Sequence, residues 1–201
     1  MRNAGQLIVF EGADATGKSA ISAGVSKEIR NRGLRVELLS FPGKAPHSLG
    51  NLVYRIHHDS KALDIESQTP LSLQALHIAA HLDAIESKIL PLLRNGTSVV
   101  LDRFWWSTFV YGVADGVDRR VLQSLIDAEK LVWAEWSPQM LFFVTRSTPL
   151  RREPREKWQR WIQLYRELLT SEAGHYPIRV IENEDSLETA VSRALSLVHL
   201  K

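Results

Sequence analysis

Residues 12–19 read GADATGKS and match the pattern G-x-x-x-x-G-K-[ST]. An apolar strand is predicted just before them, over Gln6–Phe10, and a helix just after their turn, over Lys18–Arg32. Glycines let several backbone N–H groups converge on one anion, and the start of a helix adds further unpaired donors. The segment therefore predicts a phosphate-binding loop. Its members are Gly12, Ala13, Asp14, Ala15, Thr16, Gly17, Lys18 and Ser19.

The residue types of this loop predict a nucleoside triphosphate and Mg²⁺ as its ligands. Lys18 would place a cation against the β- and γ-phosphates, and the Ser19 hydroxyl would reach Mg²⁺. Such loops occur in GTPases, ATPases and small-molecule kinases, so the loop alone does not define the reaction. The N-K-x-D pattern typical of guanine binding is missing from the sequence, and the compact chain favours a small-molecule kinase.

Short β-type runs alternate with longer helical patterns along the chain. Predicted strands are Gln6–Phe10, Arg35–Ser40, Ser98–Leu101, Met140–Thr145 and Ile178–Glu182. Predicted helices are Lys18–Arg32, Leu49–His58, a long one from Pro70 to Asn95 that is interrupted near Ala84, Asp118–Trp133, Glu156–Thr170 and Ser186–Leu200. This alternation predicts a five-stranded parallel sheet with helices on both faces. We expect one α/β domain over residues 1–201.

Composition excludes several classes of function. The 201 residues include no cysteine, so disulfides, thiol nucleophiles and cysteine zinc sites are excluded. The formal net charge of +2 is too even to argue for nucleic acid as a partner. No run approaches the roughly 18 apolar residues of a membrane span, and no export signal is recognisable. We therefore expect a cytoplasmic protein that uses neither a membrane nor nucleic acid.

A second candidate site follows the predicted strand Ser98–Leu101. Asp102 and Arg103 come directly after it, at the edge of a parallel sheet where ligands bind. Asp102 could hold Mg²⁺ directly or through water, and Arg103 could clamp a phosphate. A surface ion pair between the two is the alternative.

Several segments, in order along nearly the whole chain, carry a family resemblance. They are Phe10-Glu11-Gly12-Ala13-Asp14, Phe41-Pro42, Ala79-Ala80, Asp102-Arg103-Phe104 followed by Ser107 and Tyr111, and Ser137-Pro138-Gln139-Met140. Together they resemble the thymidylate kinase family, which transfers phosphate from ATP to dTMP. The resemblance implies a P-loop NTPase fold like that of nucleoside monophosphate kinases, with ATP and Mg²⁺ as cofactors and a homodimer as the assembly.

The resemblance also implies roles for individual side chains. Asp14 would lie near the sugar hydroxyl of the acceptor, while Arg103 and Lys44 would hold its phosphate and Asp102 would organise Mg²⁺ through water. The matched segments further place Phe41, Ser107 and Tyr111 among the substrate-binding residues.

Family members take a catalytic arginine either from the phosphate loop or from a flexible lid. The loop position after Asp14 is Ala15 here, so the arginine is expected from the lid, at about residues 146–157. The candidates there are Arg151, Arg152 and Arg155, any of which could neutralise charge on the transferring phosphoryl group. A solvated basic turn is the alternative.

The substrate helix departs from the family pattern. Where the family has an aromatic that stacks on thymine, and four residues later an arginine that reads the base edge, this chain has His77 and His81. Histidine cannot reproduce the fork of arginine, so we expect no strict specificity for dTMP. The alternatives are partly exposed histidines or, less favoured, metal ligands. His57 and His58 are interpreted as exposed helix residues.

The sequence thus predicts an ATP- and Mg²⁺-dependent kinase that phosphorylates a (deoxy)nucleoside monophosphate to the diphosphate. One alternative is a deoxynucleoside or specialised-metabolite kinase on the same fold. Another is a nucleotide-binding protein without catalytic activity.

Overall fold

The computed structural model describes residues 4–199. Five parallel strands form one sheet in the order β2-β3-β1-β4-β5. They are β1 Leu7–Glu11, β2 Val36–Ser40, β3 Ser98–Asp102, β4 Met140–Thr145 and β5 Ile178–Glu182. The predicted α/β class and five-stranded parallel sheet are confirmed. The single domain over residues 1–201 stays a prediction, and its ends at residues 1–3 and 200–201 lie outside the described residues.

Eight α-helices accompany the sheet in this part of the chain. They are α1 Lys18–Asn31, α2 Leu49–His58, α3 Pro70–Ala84, α4 Leu90–Arg94, α5 Trp105–Ala114, α6 Arg119–Trp133, α7 Arg155–Ser171 and α8 Leu187–Ser196. A 3₁₀ turn covers Ser60–Leu63 and a π-helical turn covers Ile85–Ile89. The last helix ends at Ser196, earlier than the predicted Leu200, which lies outside the described residues.

Apolar side chains cover both faces of the sheet, so that β1 is buried along its whole length. On one face, Ile8 and Phe10 pack in a cluster with α1 and α8. On the other face, Leu7 and Val9 join a larger cluster with α3 and α5–α7. Burial on both faces explains the continuous apolar runs of the strands, which is the usual pattern for a central parallel strand.

The predicted interruption of the long helix near Ala84 is a π-helical turn, Ile85–Ile89. Pro91 follows it within α4. Because proline has no N–H and its ring collides with the carbonyl four residues earlier, a regular α-helix cannot pass through it unchanged. The wider turn before Pro91 lets one helical rod run from Pro70 to Arg94.

Helix α5 is not predictable from the local sequence, because its residues are almost all apolar and show no helical period. Its N-cap residue, Phe104, offers no side-chain acceptor. The Glu11 carboxylate supplies one from the end of β1: its Oε1 accepts the N–H groups of Phe104 at 2.7 Å and Ser107 at 2.9 Å. A buried anion on another element thus caps this helix.

The loop after β2 lies directly against the first turn of α2. A Cβ built on Gly50 would lie 1.8 Å from the carbonyl oxygen of Pro42 and 3.1 Å from the Cα of Gly43. Only a residue without a side chain allows this approach. Gly50 therefore fixes where the segment containing Phe41 and Lys44 enters the cleft described below.

We predict that Gly50→Ala lowers the free energy of unfolding by about 1–3 kcal/mol, because backbone at Pro42 must move. Urea denaturation measures this change. Gly174→Ala is the matched control, since a Cβ there meets nothing within 4 Å, and its effect should stay within about 0.5 kcal/mol. Equal stability of the two variants would contradict the packing described here.

Over the described range 4–199, none of the helices combines the length and the apolar character needed to cross a membrane.

Candidate active site

A cleft of about 700 Å³ opens at the carboxyl ends of β1, β2 and β3. The predicted site residues that line it are Asp14, Ala15, Gly17, Lys18, Ser19, Phe41, Lys44, His77, His81, Asp102, Arg103, Ser107, Tyr111 and Arg151. Residues from five separate stretches of the chain therefore meet in one place. Their individual roles stay predictions.

The predicted phosphate loop turns tightly between β1 and α1. Gly12 and Gly17 both have positive φ, and a Cβ on either would lie within 2.3 Å of a neighbouring atom. The Thr16 hydroxyl donates to the carbonyl of Ala13 at 2.9 Å, and the Asn183 amide donates to the carbonyl of Thr16 at 2.8 Å. Gly12, Ala13 and Thr16 are buried behind the loop and do not line the cleft. These three residues determine the conformation of the loop.

Lys18 begins α1 and is almost completely buried. Its Nζ lies 3.4 Å from the carbonyl oxygen of Ala13 and 3.4 Å from Oδ1 of Asp14. Burial, and next the nearby charge of Arg103, lower the pKa of Lys18 to about 8. The amine is therefore held in a position where an anion in the cleft would stabilise its charged form.

Asp14 stands among three cationic side chains. Its carboxylate pairs with Arg103 and Lys18, and its Oδ2 lies 3.9 Å from Nη2 of Arg151. Burial alone would raise the pKa of Asp14, but the charges of Arg103 and Lys18 outweigh burial and hold it at about 2. Asp14 is thus ionised and is the carboxylate that lies beside all three cations.

Arg103 reaches the cleft from an unusual backbone conformation, with φ of +75°. Such a conformation costs about 1–3 kcal/mol in a residue other than glycine. The N–H of Arg103 donates to the carbonyl of Phe10 at 2.9 Å, and its Nη1 donates to the Ser107 hydroxyl at 3.1 Å. These contacts direct the guanidinium into the cleft beside Asp14. Arg103 is not in a surface ion pair with Asp102.

Glu11 is fully buried beneath this cluster, and the sequence analysis gave it no role. Its Oε2 accepts the Ser107 hydroxyl at 2.8 Å, the Tyr165 hydroxyl at 3.1 Å and the Gly12 N–H at 3.2 Å. Burial raises the pKa of Glu11. One feature of the sequence could have indicated this role: Glu11 is a charged residue at the end of an otherwise apolar strand. A charged residue in such a position needs partners that stabilise it.

Asp102 and Ser19 could hold a divalent cation. Asp102 Oδ1 is buried and has no hydrogen-bond partner among the described residues. Ser19 lines the same cleft from the start of α1. A carboxylate oxygen and a hydroxyl suit Mg²⁺, so these residues fit the predicted ion. Mg²⁺ bound there would neutralise charge on phosphate oxygens.

The end of the cleft away from the phosphate loop is aromatic. The Phe41 ring stacks on His81, with centroids 4.0 Å apart and planes 12° apart. Tyr111 lies instead beside the phosphate loop, because its hydroxyl accepts the N–H of Asp14 at 3.0 Å, and its ring meets Trp161 edge-on at 4.9 Å. Trp161, one of the buried residues of α7, also lines the cleft.

Both predicted histidines face this aromatic end. His81 is buried, and its Nδ1 lies 2.8 Å from Oε2 of Glu129. His77 is half-buried, and its Nε2 lies 3.1 Å from Nδ1 of His57. Burial is the largest cause of the fall in the pKa of His77 to about 2, so that ring is neutral. The alternative of a partly exposed histidine is wrong for His81, because Glu129 and Phe41 enclose it.

The three lid arginines take different positions. Arg151 lines the cleft, and its Nε donates to Glu153 at 2.9 Å. Arg152 and Arg155 are exposed and do not line it. The structure therefore brings one of the three candidates to the cation cluster.

Further lining residues were missing from the predicted site. They are Ala20, Ser40, Pro42, Tyr54, His57, His58, Gln74, Phe104, Thr108, Asp115, Leu150, Lys157 and Trp161. His57 and His58 are exposed, as predicted, but they stand at the mouth of the cleft. Gln74 precedes His77 by three residues and so shares its helix face, which is the one signal that could have found it.

The sheet order, the glycine loop before α1 and the carboxylate that ends β3 are typical of P-loop proteins. A family model described as thymidylate kinase matches residues 10–171. The chain belongs to the thymidylate kinase family.

Individual relatives agree with this assignment. A thymidylate kinase of Gluconobacter oxydans is 31% identical over 158 residues, which cover 76% of this chain and 69% of the relative. A thymidylate kinase of Nitrosomonas europaea is 32% identical over 140 residues, which cover 69% of this chain but only 61% of the relative. The crystal structure of thymidylate kinase from Ehrlichia chaffeensis superposes with a TM-score of 0.78 at 20% identity, covering 98% of this chain and all of that one. At that identity the match shows the fold.

We predict that Glu11→Gln lowers the free energy of unfolding by about 1–3 kcal/mol. The amide NH₂ cannot accept, and at either oxygen position it would face at least one backbone N–H, from Phe104 and Ser107 or from Gly12. Urea denaturation followed by circular dichroism gives the value.

Glu37→Gln on β2 is the matched control, because Glu37 is exposed. It should change stability by no more than about 0.5 kcal/mol. If Glu11→Gln were as stable as this control, the capping role assigned to Glu11 would be wrong.

Proposed function

We propose that this protein is an ATP- and Mg²⁺-dependent kinase that transfers the γ-phosphate to a nucleoside monophosphate. The observation that carries the proposal is the convergence of Lys18, Arg103 and Arg151 on Asp14, within one cleft. The phosphate loop forms one end of that cleft, and an aromatic pocket forms the other. Two phosphate groups brought in from opposite ends would meet at these cations.

Transfer of a phosphoryl group requires alignment and charge stabilisation more than covalent chemistry. Lys18 would bind the β- and γ-phosphates and Arg103 the phosphate of the acceptor, which is itself the attacking nucleophile. Because a phosphate oxygen is already ionised, the site needs no general base. Arg151 would add charge from the lid when the transferring group spreads its negative charge.

The alternatives make different demands on the cleft. A kinase of unphosphorylated nucleosides would have no use for Arg103 beside the acceptor. A nucleotide-binding protein without activity would not need the complete set of cations. The half-buried, strained placement of Arg103 favours an acceptor that already carries phosphate.

Family membership also supports the assembly and the location expected from the sequence. We propose a homodimer in the cytoplasm, with a nucleotide or another phosphorylated small molecule as the acceptor. Sedimentation velocity tests the assembly directly, since a monomer at micromolar concentration would overturn it.

A coupled assay of ADP release tests the reaction, with ATP, Mg²⁺ and a panel of nucleosides and nucleoside monophosphates. We predict turnover with at least one monophosphate and none above background with the matching nucleosides. Lys18→Ala should abolish that turnover, because the γ-phosphate loses its cation. Acceptor-independent ATP hydrolysis alone, or no difference between wild type and Lys18→Ala, would refute the proposal.

Arg151→Ala is predicted to lower kcat by at least about 10²-fold while KM for ATP changes little, because its charge acts in the transition state. Arg152→Ala and Arg155→Ala should each lose far less, since neither side chain lines the cleft. Arg32→Ala, at the exposed end of α1, controls for removal of any surface arginine. Similar losses in all three lid variants would instead indicate a diffuse basic lid.

A further inference from the structure

Two buried polar side chains of α3 have unused hydrogen-bonding atoms at the aromatic end of the cleft. Gln74 is 3% exposed, lines the cleft, and makes no side-chain hydrogen bond with any residue between 4 and 199. His81 is 2% exposed and uses only Nδ1, so that its Nε2 has no partner in that range. The two residues are two helical turns apart and share a face. Both residues line the cleft, so these unpaired atoms are available to a ligand bound there.

Glu129 decides which ring nitrogen of His81 carries the hydrogen. Its Oε1 accepts the indole N–H of Trp133 at 3.2 Å, and its Oε2 lies 2.8 Å from Nδ1 of His81. An ionised carboxylate only accepts, so Nδ1 must be the donor. In the neutral imidazole this leaves a lone pair on Nε2. Phe41 stacks on the ring and holds its plane.

The neighbouring histidines add no charge to this end of the pocket. His77 and His57 are bonded to each other through Nε2 and Nδ1. Burial is the main cause that lowers the pKa of both. The hydrogen-bonding character of the pocket end is therefore determined by an acceptor at His81 and an amide at Gln74, which can donate and accept.

We propose, building on the function proposed above, that the acceptor is a monophosphate whose base carries an exocyclic amino group beside an unprotonated ring nitrogen. The amino group donates to Nε2 of His81, and the ring nitrogen accepts from the Gln74 amide. Cytosine and adenine both present this edge, whereas thymine and uracil present a carbonyl oxygen beside a ring N–H. A carbonyl oxygen against Nε2 leaves two acceptors facing each other, and such a mismatch is costly in a buried site.

The test compares kcat/KM for dCMP, dAMP, dTMP and dUMP under one set of conditions. Wild type should prefer dCMP or dAMP over dTMP and dUMP by at least about tenfold, since a missing hydrogen bond costs at least that much. The comparison of dCMP with dAMP then shows whether the pocket admits a pyrimidine or a purine.

Glu129→Gln provides the sharper test, because it should reverse the hydrogen-bonding role of His81. The indole N–H of Trp133 holds the amide oxygen of the new side chain, so its NH₂ faces Nδ1 of His81. The ring must then accept at Nδ1 and carry its hydrogen on Nε2. We expect the ratio of kcat/KM for the better amino base over dTMP to fall at least tenfold.

Glu135→Gln, an exposed neighbour, should leave that ratio unchanged. Gln74→Leu is a second variant, which should lower kcat/KM for the amino bases more than for dTMP whether or not Glu129→Gln folds. A purely structural role of Glu129 would reduce all four substrates equally.

The outcomes separate the two proposals. A wild-type preference for dTMP or dUMP, or equal losses for all bases in both variants, overturns the assignment of base recognition and leaves the kinase intact. No turnover with any monophosphate overturns the proposed function, and this inference with it.

Discussion

The buried carboxylate of Glu11 is the interaction on which the rest of the site depends. It ends the central strand and accepts hydrogen bonds from the phosphate loop, from both ends of the first turn of α5, and from α7. Hydrogen bonds to Glu11 thereby join β1, the phosphate loop, α5 and α7 at one point in the core. Burying a charged carboxylate costs free energy, and the hydrogen bonds that Glu11 accepts offset this cost.

The hydrogen-bond network of Glu11 also determines where the charged side chains of the cleft lie. Ser107 bonds both Glu11 and Arg103, so the guanidinium is directed towards Asp14 and Lys18 by the same network that caps α5. Lys18, Arg103 and Arg151 all lie beside the Asp14 carboxylate, and burial, followed by the charge of Arg103, lowers the pKa of Lys18 to about 8. Five lysine and arginine side chains and three aspartates line the cleft, so positive charge is in excess there. Phosphate groups are the ligands that such a cleft fits best.

Local patterns were enough to predict the sheet, the phosphate loop and the pair Asp102 and Arg103, because each depends on residues close together in sequence. The helix α5 could not be predicted, since its cap comes from a residue 93 positions away. The partner of His81 was hidden for the same reason, although Glu129 interrupts the apolar stripe of α6. Local periodicity does not show which buried polar groups pair when they are far apart in the sequence.

A crystal structure with a bound nucleoside monophosphate and a non-hydrolysable ATP analogue tests the central claim most directly, namely that the cation cluster is where two phosphates meet. We expect the acceptor phosphate to lie on Arg103 and the γ-phosphate on Lys18, with phosphate replacing Asp14 as the partner of Arg103. If both nucleotides were bound while Arg103 remained paired to Asp14, with no phosphate between Arg103 and Lys18, the cation cluster would not be the place of transfer.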